Sequence, residues 1–543
     1  MFLLFLYVPG SPFMIKNMMR IRRKALKSRD EKLNPKPARK ASGLSWPKTN
    51  AEGKPEARSS TVTNKAIWRA AADAVGMAGD IDKTKNWRFG YAKNIMKNVK
   101  RCLQNTDDSL KVAQAGLDAA HNLFTFVSGD KEIPLSEAMD KISGSFTTVV
   151  LDGEGKRGER ARLHYKDQSD GVSRQPGDDD FLAGDKLKEQ VDKWVAYGSI
   201  EKSCGDAIKS VADNENEWCD LSDRYFVILG ATSAMGPIKT LLHYGANVIA
   251  IDVPNHFCRP SKISPNPNAP WSGKLFPLVR KSAGRLIIPV EEGFEWDGKD
   301  LMALAEKAGS NLLTQTPHIA RWLTTDKFFQ DKQLTMGNYT YLDGALHVQL
   351  SLACDAIMQR VCKQKKDTML CFLCTPTDDH VITQEAWDAA NEHYATAPAW
   401  QKIMETFRML KKNVVPKIMT DAGEPVFVVD AMSVAQGPNY ALAKRIQHWR
   451  AMLAFASGHW VSSNVAPSSR TASVVSNKLF ELAYNGMPAF KPMEVTHQET
   501  SNTVMGALLI HDMRNVEGHA NPAAAVNKKV RALYEQVSAN SVY

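Results

Sequence analysis

The stretch "QGPNYALAKRIQHW" sets Tyr440 four residues before Lys444, and residues at i and i+4 project from one face of a helix. Two such groups can act on the same substrate atom. A phenol can move a proton, but at its usual pKa of about 10 it is a poor base unless a neighbouring ammonium stabilises the phenolate. The bland reading is an exposed helix pair contributing about 0.2–0.5 kcal/mol. With 13 tyrosines in the chain, about one such pair arises by chance, so the surroundings must decide.

A second group of residues points to phosphate chemistry. "RYFVILG" runs into "GATSAMGPIKTLLHYGANVIAID", which reads as strand, tight glycine turn, helix and second strand ending in an acid, the arrangement that binds dinucleotides. Gly230 lets the chain turn and Gly236 lets the helix approach the sheet. Between them lie Thr232, Ser233, Ala234 and Met235, and the amides at the helix start face a pyrophosphate. Asp252, 22 residues after Gly230, is placed to accept from the adenosine ribose hydroxyls and to repel a 2′-phosphate. That favours NAD over NADP, with Arg259 and Lys262 close enough behind to reverse the preference. The competing reading is a structural strand–helix–strand unit whose glycines serve packing alone.

These groups need a scaffold. From residue 223 short β-branched runs alternate with helical stretches: strands are expected at 224–230, 247–252, 285–290, 368–374, 426–432 and 460–466. Continuous apolar strands alternating with helices imply a parallel sheet covered on both faces. Residues 64–222 repeat apolar positions at three and four and read as a mainly helical accessory domain, interrupted by the Gly-, Asp- and Arg-rich loop "GEGKRGERARLHYKDQSDGVSRQPGDDD". Residues 1–63 read as a basic leader followed, over 30–63, by an unfolded linker.

The motifs resemble those of the short-chain dehydrogenase/reductase family. "GATSAMG" is similar to its glycine turn, with Ala234 at the middle glycine; "YALAK" matches its Tyr-x-x-x-Lys signature; "WVSSNVAPSSRT" resembles the strand and loop in which Pro467 precedes a Thr, here Thr471, that caps the nicotinamide. The resemblance covers about 223–510. It implies a Rossmann-type, doubly wound parallel sheet over 223–543 and an NAD(P)-dependent oxidoreductase interconverting an alcohol and a carbonyl. It makes Tyr440 the general acid/base and Lys444 both its pKa depressor and a ribose ligand. The carbonyl-polarising Ser is expected at Ser433, just after "VFVVDAM", with Thr375 and Thr377 as rivals. The family's Asn-Asn-Ala-Gly is missing; the corresponding region reads "NLLTQTPHIARW", whose strand is taken as "NLL". No closing strand is evident after "EVTHQETSNTVMGALLIHDM". Leu479, Phe480, Tyr484, Met487 and Phe490 fall where the family forms its substrate lid, which suits a small apolar substrate. A homo-oligomer is implied through the helix bearing the Tyr and its predecessor, unless the insertions block it. The rival reading is a noncatalytic nucleotide-binding subunit of a larger assembly.

Bulk properties exclude other classes. The net charge of +10 resides wholly in residues 1–60, with 14 Lys and Arg against 4 Asp and Glu, so the remaining chain is neutral and argues against a nucleic-acid partner. No run approaches the roughly 18 apolar residues of a membrane helix. The acid-poor, Arg-rich leader favours an organelle transit peptide, leaving open a cytoplasmic protein with an unstructured extension. Eight scattered cysteines suggest a reducing compartment, and "CFLC" reads as a buried strand with no metal implied. His448 and His497 read as hydrogen-bonded helix histidines.

Overall fold

The computed structural model describes residues 41–49, 58–165, 180–259, 261, 264–407, 410, 412–432, 436–471, 474 and 478–524. The leader, Ser433, Lys262, Asp178 and Asp179 lie outside them, as do the side chains of Leu479 and Phe480. A seven-stranded sheet organises the fold. Its strands are β1 (Thr147–Asp152), β2 (Tyr225–Leu229), β3 (Asn247–Ile251), β4 (Arg285–Val290), β5 (Leu334–Asn338), β6 (Met369–Cys374) and β7 (Val461–Val465). The order across the sheet is β7-β6-β5-β2-β3-β4-β1. β2 to β7 are parallel and β1 pairs antiparallel with β4. The order therefore reverses between β2 and β5.

The principal helices are α1 (Ser60–Asp73), α2 (Trp87–Gln104), α3 (Thr106–Leu123), α4 (Gly184–Tyr197), α5 (Lys202–Asp213), α6 (Ile238–His243), α7 (Thr316–Thr325), α8 (Ala345–Gln364), α9 (Pro438–Ala456) and α10 (Gln498–Arg514). Alternate side chains of each central strand point to opposite faces. Phe226, Ile228, Val248 and Ala250 join the core under α4, α5 and α10, while Val227, Leu229, Ile249 and Ile251 join the one under α7 and α8. Both faces are thus buried, which is why these strands read as unbroken apolar runs.

Five of the six expected strands lie in this sheet. The sixth, Pro425–Asp430, belongs instead to a small antiparallel sheet with Asp379–Ile382 and Ile418–Met419. β5, the strand beside the reversal, is not among the expected ones: it is short and carries Gly337, which weakens a strand pattern. The "NLL" expected in its place is a turn, because the Asn311 side chain accepts from the amides of Leu313 and Thr314 at 2.9 and 3.2 Å, a bond that closes the chain locally. No sheet strand follows β7 among the described residues, where α10 packs on the sheet instead.

The segment 64–222 is less separate than its helical pattern suggests. It supplies β1 to the main sheet, and its helices α1 to α3 share one core with α8 and α9. Trp68 packs on Trp449 at 5.4 Å. Gly116 of α3 lies so close to the Trp449 ring that a Cβ there would meet it at 2.4 Å. The stretch read as linker also enters the body: Leu44 and Trp46 are 0% and 5% exposed, and Trp46 stacks on Phe124 at 4.5 Å. A buried charged triad closes this core. Asp355 accepts from Arg450 Nε at 2.7 Å and Nη2 at 3.0 Å and lies 2.6 Å from His121 Nε2, joining α3, α8 and α9.

Candidate functional site

The glycine turn forms as the sequence suggests. Gly230 has φ +84, a conformation that penalises any side chain, and a Cβ there would lie 3.0 Å from Thr340 Cγ2. The turn is tied to its neighbours by its own amides: Gly230 and Ala231 donate to Ile251 O, Ser233 to Gly230 O, and Gly236 to Ser233 O. Only Ala234 and Met235 keep amides without a hydrogen bond among the described residues of the turn. Their position matches that expected for phosphate contact. α6, however, is a short helix preceded by Pro237, which has no N–H to offer.

Asp252 differs from its expected role. Its Oδ2 accepts from both the amide and the hydroxyl of Thr232 at 2.7 Å, and its Oδ1 from the amide of Val253 at 2.8 Å. Thr232 is therefore bonded to Asp252 rather than turned outward. Burial raises the Asp252 pKa, against those hydrogen bonds. The lone pairs left on Oδ1 allow at most a shared ribose contact. Tyr339 packs beside the turn: its ring folds back over Gly337, within 2.2 Å of where a Cβ would stand, and joins the core under α10, with its Cβ 3.8 Å from where one on Gly236 would lie.

Tyr440 and Lys444 sit in the first turns of α9, whose start is held by α1. Asn64, fully buried, donates to Pro438 O at 2.9 Å and Asn439 Oδ1 at 3.1 Å, and accepts from Trp87 Nε1 at 2.8 Å. Of the two expected catalytic side chains, Tyr440 meets a third group, while Lys444 turns elsewhere. Thr375, the first residue after β6, stands within hydrogen-bonding reach of the Tyr440 phenol. Burial raises the phenol pKa, the Thr375 contact opposes it, and Tyr484, Tyr341 and Asp378 add to the rise. Lys444 Nζ donates to Leu373 O at 3.3 Å and Gln447 Oε1 at 3.4 Å. Burial lowers its pKa, opposed by Cys374 and Asp378. Lys444 is thus drawn toward the end of β6 rather than set against the phenol as the i, i+4 pattern suggests.

Around this pair stand residues that the sequence reading did not single out. The rings of Tyr341 and His347 lie 6.3 and 5.4 Å from that of Tyr440. Both follow β5, so the strand that was not recognised is the one that delivers them. Asp378 accepts from Arg445 Nη2 at 3.1 Å and lies 3.9 Å from His448 Nδ1, so His448 is buried but lacks the expected hydrogen bond, its Nε2 having no partner among the described residues. Asp379 stands opposite Asp430 in the small sheet; burial and those two neighbouring carboxylates raise its pKa well above the usual range. His497 caps α10 by accepting from Glu499 N at 3.1 Å.

The remaining expected residues follow β7. Pro467 and Thr471 follow β7, where Ser469 Oγ donates to Pro467 O at 2.8 Å and Thr471 N to Ser469 O at 2.9 Å. Of the lid residues, Met487 and Phe490 are buried, with Phe490 packed on Trp400 at 5.4 Å. Tyr484 is part-buried, its phenol pushed up to about 12 by burial. "CFLC" is the buried β6, as read. No described helix is long and apolar enough to cross a membrane. Compared with family models, curated proteins and solved structures, the chain matches none.

Proposed function

We propose that the chain is an NAD(P)-dependent oxidoreductase of the short-chain dehydrogenase/reductase type, built on a Rossmann-type, doubly wound sheet and acting on a small, apolar alcohol or carbonyl. One observation carries the reading: the Tyr440 phenol meets Thr375 at the C-terminal end of β6, where Lys444 also bonds Leu373 O, two strands from a glycine turn at the end of β2. Crevices at the carboxyl ends of such strands, where the order reverses, are where α/β sheets bind ligands. The open amides of Ala234 and Met235 fit a pyrophosphate, with Gly230, Gly236 and Ser233 shaping the turn and Pro467 and Thr471 following β7. NAD remains the favoured dinucleotide, with Asp252 contributing less to that choice than its position implies.

A bound nicotinamide would supply the hydride. The chain's own groups handle the proton. In the reducing direction the Tyr440 hydroxyl gives its proton to the carbonyl oxygen, and Thr375 Oγ1 donates a hydrogen bond to the same atom. Thr375 thereby takes the role expected of Ser433. A phenol whose pKa is raised by burial holds its proton at neutral and mildly alkaline pH, so the donor form is the one present, as a weaker acid than a free phenol. Association through α8 and α9 is not part of the reading, because α1 and α3 cover that face.

The occupied Asp252 and the departure of Lys444 from the phenol favour the second reading, a noncatalytic nucleotide-binding subunit. Purified protein separates the two. Carbonyl-dependent NADH oxidation that Tyr440→Phe abolishes supports the enzyme; nucleotide binding with no turnover of any carbonyl supports the subunit.

A further inference from the structure

Three histidines elsewhere in the fold show how a buried or part-buried imidazole can be satisfied. His121 bonds Asp355 at 2.6 Å, His459 bonds Thr368 O at 2.9 Å, and His380 bonds Thr375 O at 2.7 Å. His347, in the first turn of α8, departs from that pattern. It is 1% exposed, yet neither ring nitrogen has a hydrogen-bond partner among the described residues. A buried polar group without a partner costs free energy that packing does not return, so an unmet imidazole beside a candidate site marks a place for a ligand atom.

The neighbours define what that ligand is. Tyr341 and Tyr440 hold their rings 5.0 and 5.4 Å from the imidazole, inclined at 71° and 65°. The Tyr341 hydroxyl donates to Asp343 at 3.0 Å and Lys444 Nζ to Leu373 O, so neither turns to His347. Burial first, and then the Lys444 charge, lowers the His347 pKa to about 3. The ring is therefore neutral at every ordinary pH and offers one N–H donor and one nitrogen acceptor. That pair suits a hydroxyl, or with the donor alone a carbonyl. A cationic ligand would be repelled by Lys444, and the neutral imidazole itself offers no charge to pair with an anion. Tyr341, 45% exposed, and Leu346, 47% exposed, leave an apolar approach from solvent.

We infer that His347 is a ligand-binding residue: beside the rings of Tyr341 and Tyr440 it hydrogen-bonds the hydroxyl or carbonyl oxygen of a neutral, ring-bearing molecule. That this molecule is the substrate rests on the oxidoreductase reading; the binding itself needs no cofactor. The test uses the full chain with 15N-labelled histidine, titrated with benzyl alcohol and, as an apolar control, toluene. Benzyl alcohol should move the His347 ring resonances where toluene does not, and should bind roughly tenfold more tightly, the effect of one net hydrogen bond. His347→Phe should erase that preference and His347→Gln should retain part of it. Resonances unmoved by benzyl alcohol, or a preference that survives His347→Phe, overturn the inference. A His347-dependent preference in a protein that oxidises no NADH leaves the binding residue standing while the oxidoreductase reading fails. Turnover of benzaldehyde with KM unchanged by His347→Phe does the reverse.

Discussion

The glycine turn at 230–236 and the cluster around Tyr440 stand at the ends of strands in one sheet, yet they differ in how they satisfy their polar groups. In the turn, five of seven amides bond within the chain, and Asp252 is held by Thr232 and Val253. In the cluster, His347 keeps both ring nitrogens unmet and Lys444 reaches its acceptors only at 3.3 and 3.4 Å. A region that satisfies itself is a scaffold: it fixes geometry and gives a ligand little to replace. A region left incomplete gains when a ligand arrives. On the oxidoreductase proposal, discrimination between substrates would fall to the cluster, and the turn would contribute shape and two amides.

Substitutions on the two sides sharpen that contrast. Tyr440→Phe should lower NADH-dependent carbonyl reduction by roughly a hundred- to ten-thousand-fold, with the melting temperature nearly unchanged; a variant at full rate would remove the cluster from the chemistry. Asp355→Asn should cost about 3–5 kcal/mol of stability by leaving Arg450 buried without its partner, read by urea unfolding. The same triad gives a pH signature. Asp355 is held near 2, with burial opposed by Arg450 and His121, so its contribution is complete above the usual carboxylate range and is lost as pH falls through about 2.

Asp252→Ala should cost about 1–3 kcal/mol, because it leaves the Thr232 amide unpaired, and should not convert an NADH preference into an NADPH one. A clean switch of coenzyme would show that Asp252 reads the ribose after all. The smallest expected effect has the opposite sign. The raised Asp379 pKa means stability that is complete at acid pH and is lost as pH rises through the folded-state value. Asp379→Asn should therefore be more stable than wild type at pH 8, and the difference should vanish near pH 4.

The parallel sheet was legible because strands buried on both faces write continuous apolar runs, as β2, β3, β4 and β6 do; β7, VSSNV at the sheet edge, was placed by its flanking residues instead. β5 was not, since Gly337 and two polar residues in "LTMGN" break the run, and the side chains it delivers, Tyr341 and His347, went unseen with it. Pro425–Asp430 has the same alternation of valines as a core strand, but only its partners reveal that it belongs elsewhere. Tyr440, Lys444 and the turn were readable as motifs. The bond that occupies Asp252 was not, because it links residues 20 apart through a fold the sequence does not display.

The account depends on a dinucleotide seating itself between the turn and the cluster, and calorimetric titration of the purified chain with NADH and with NADPH tests that most directly. Saturable binding with a dissociation constant below about 1 mM, weakened by Gly230→Val in a variant that remains folded, is the expected result. No saturable heat from either nucleotide, in protein whose unfolding transition is intact, would contradict it.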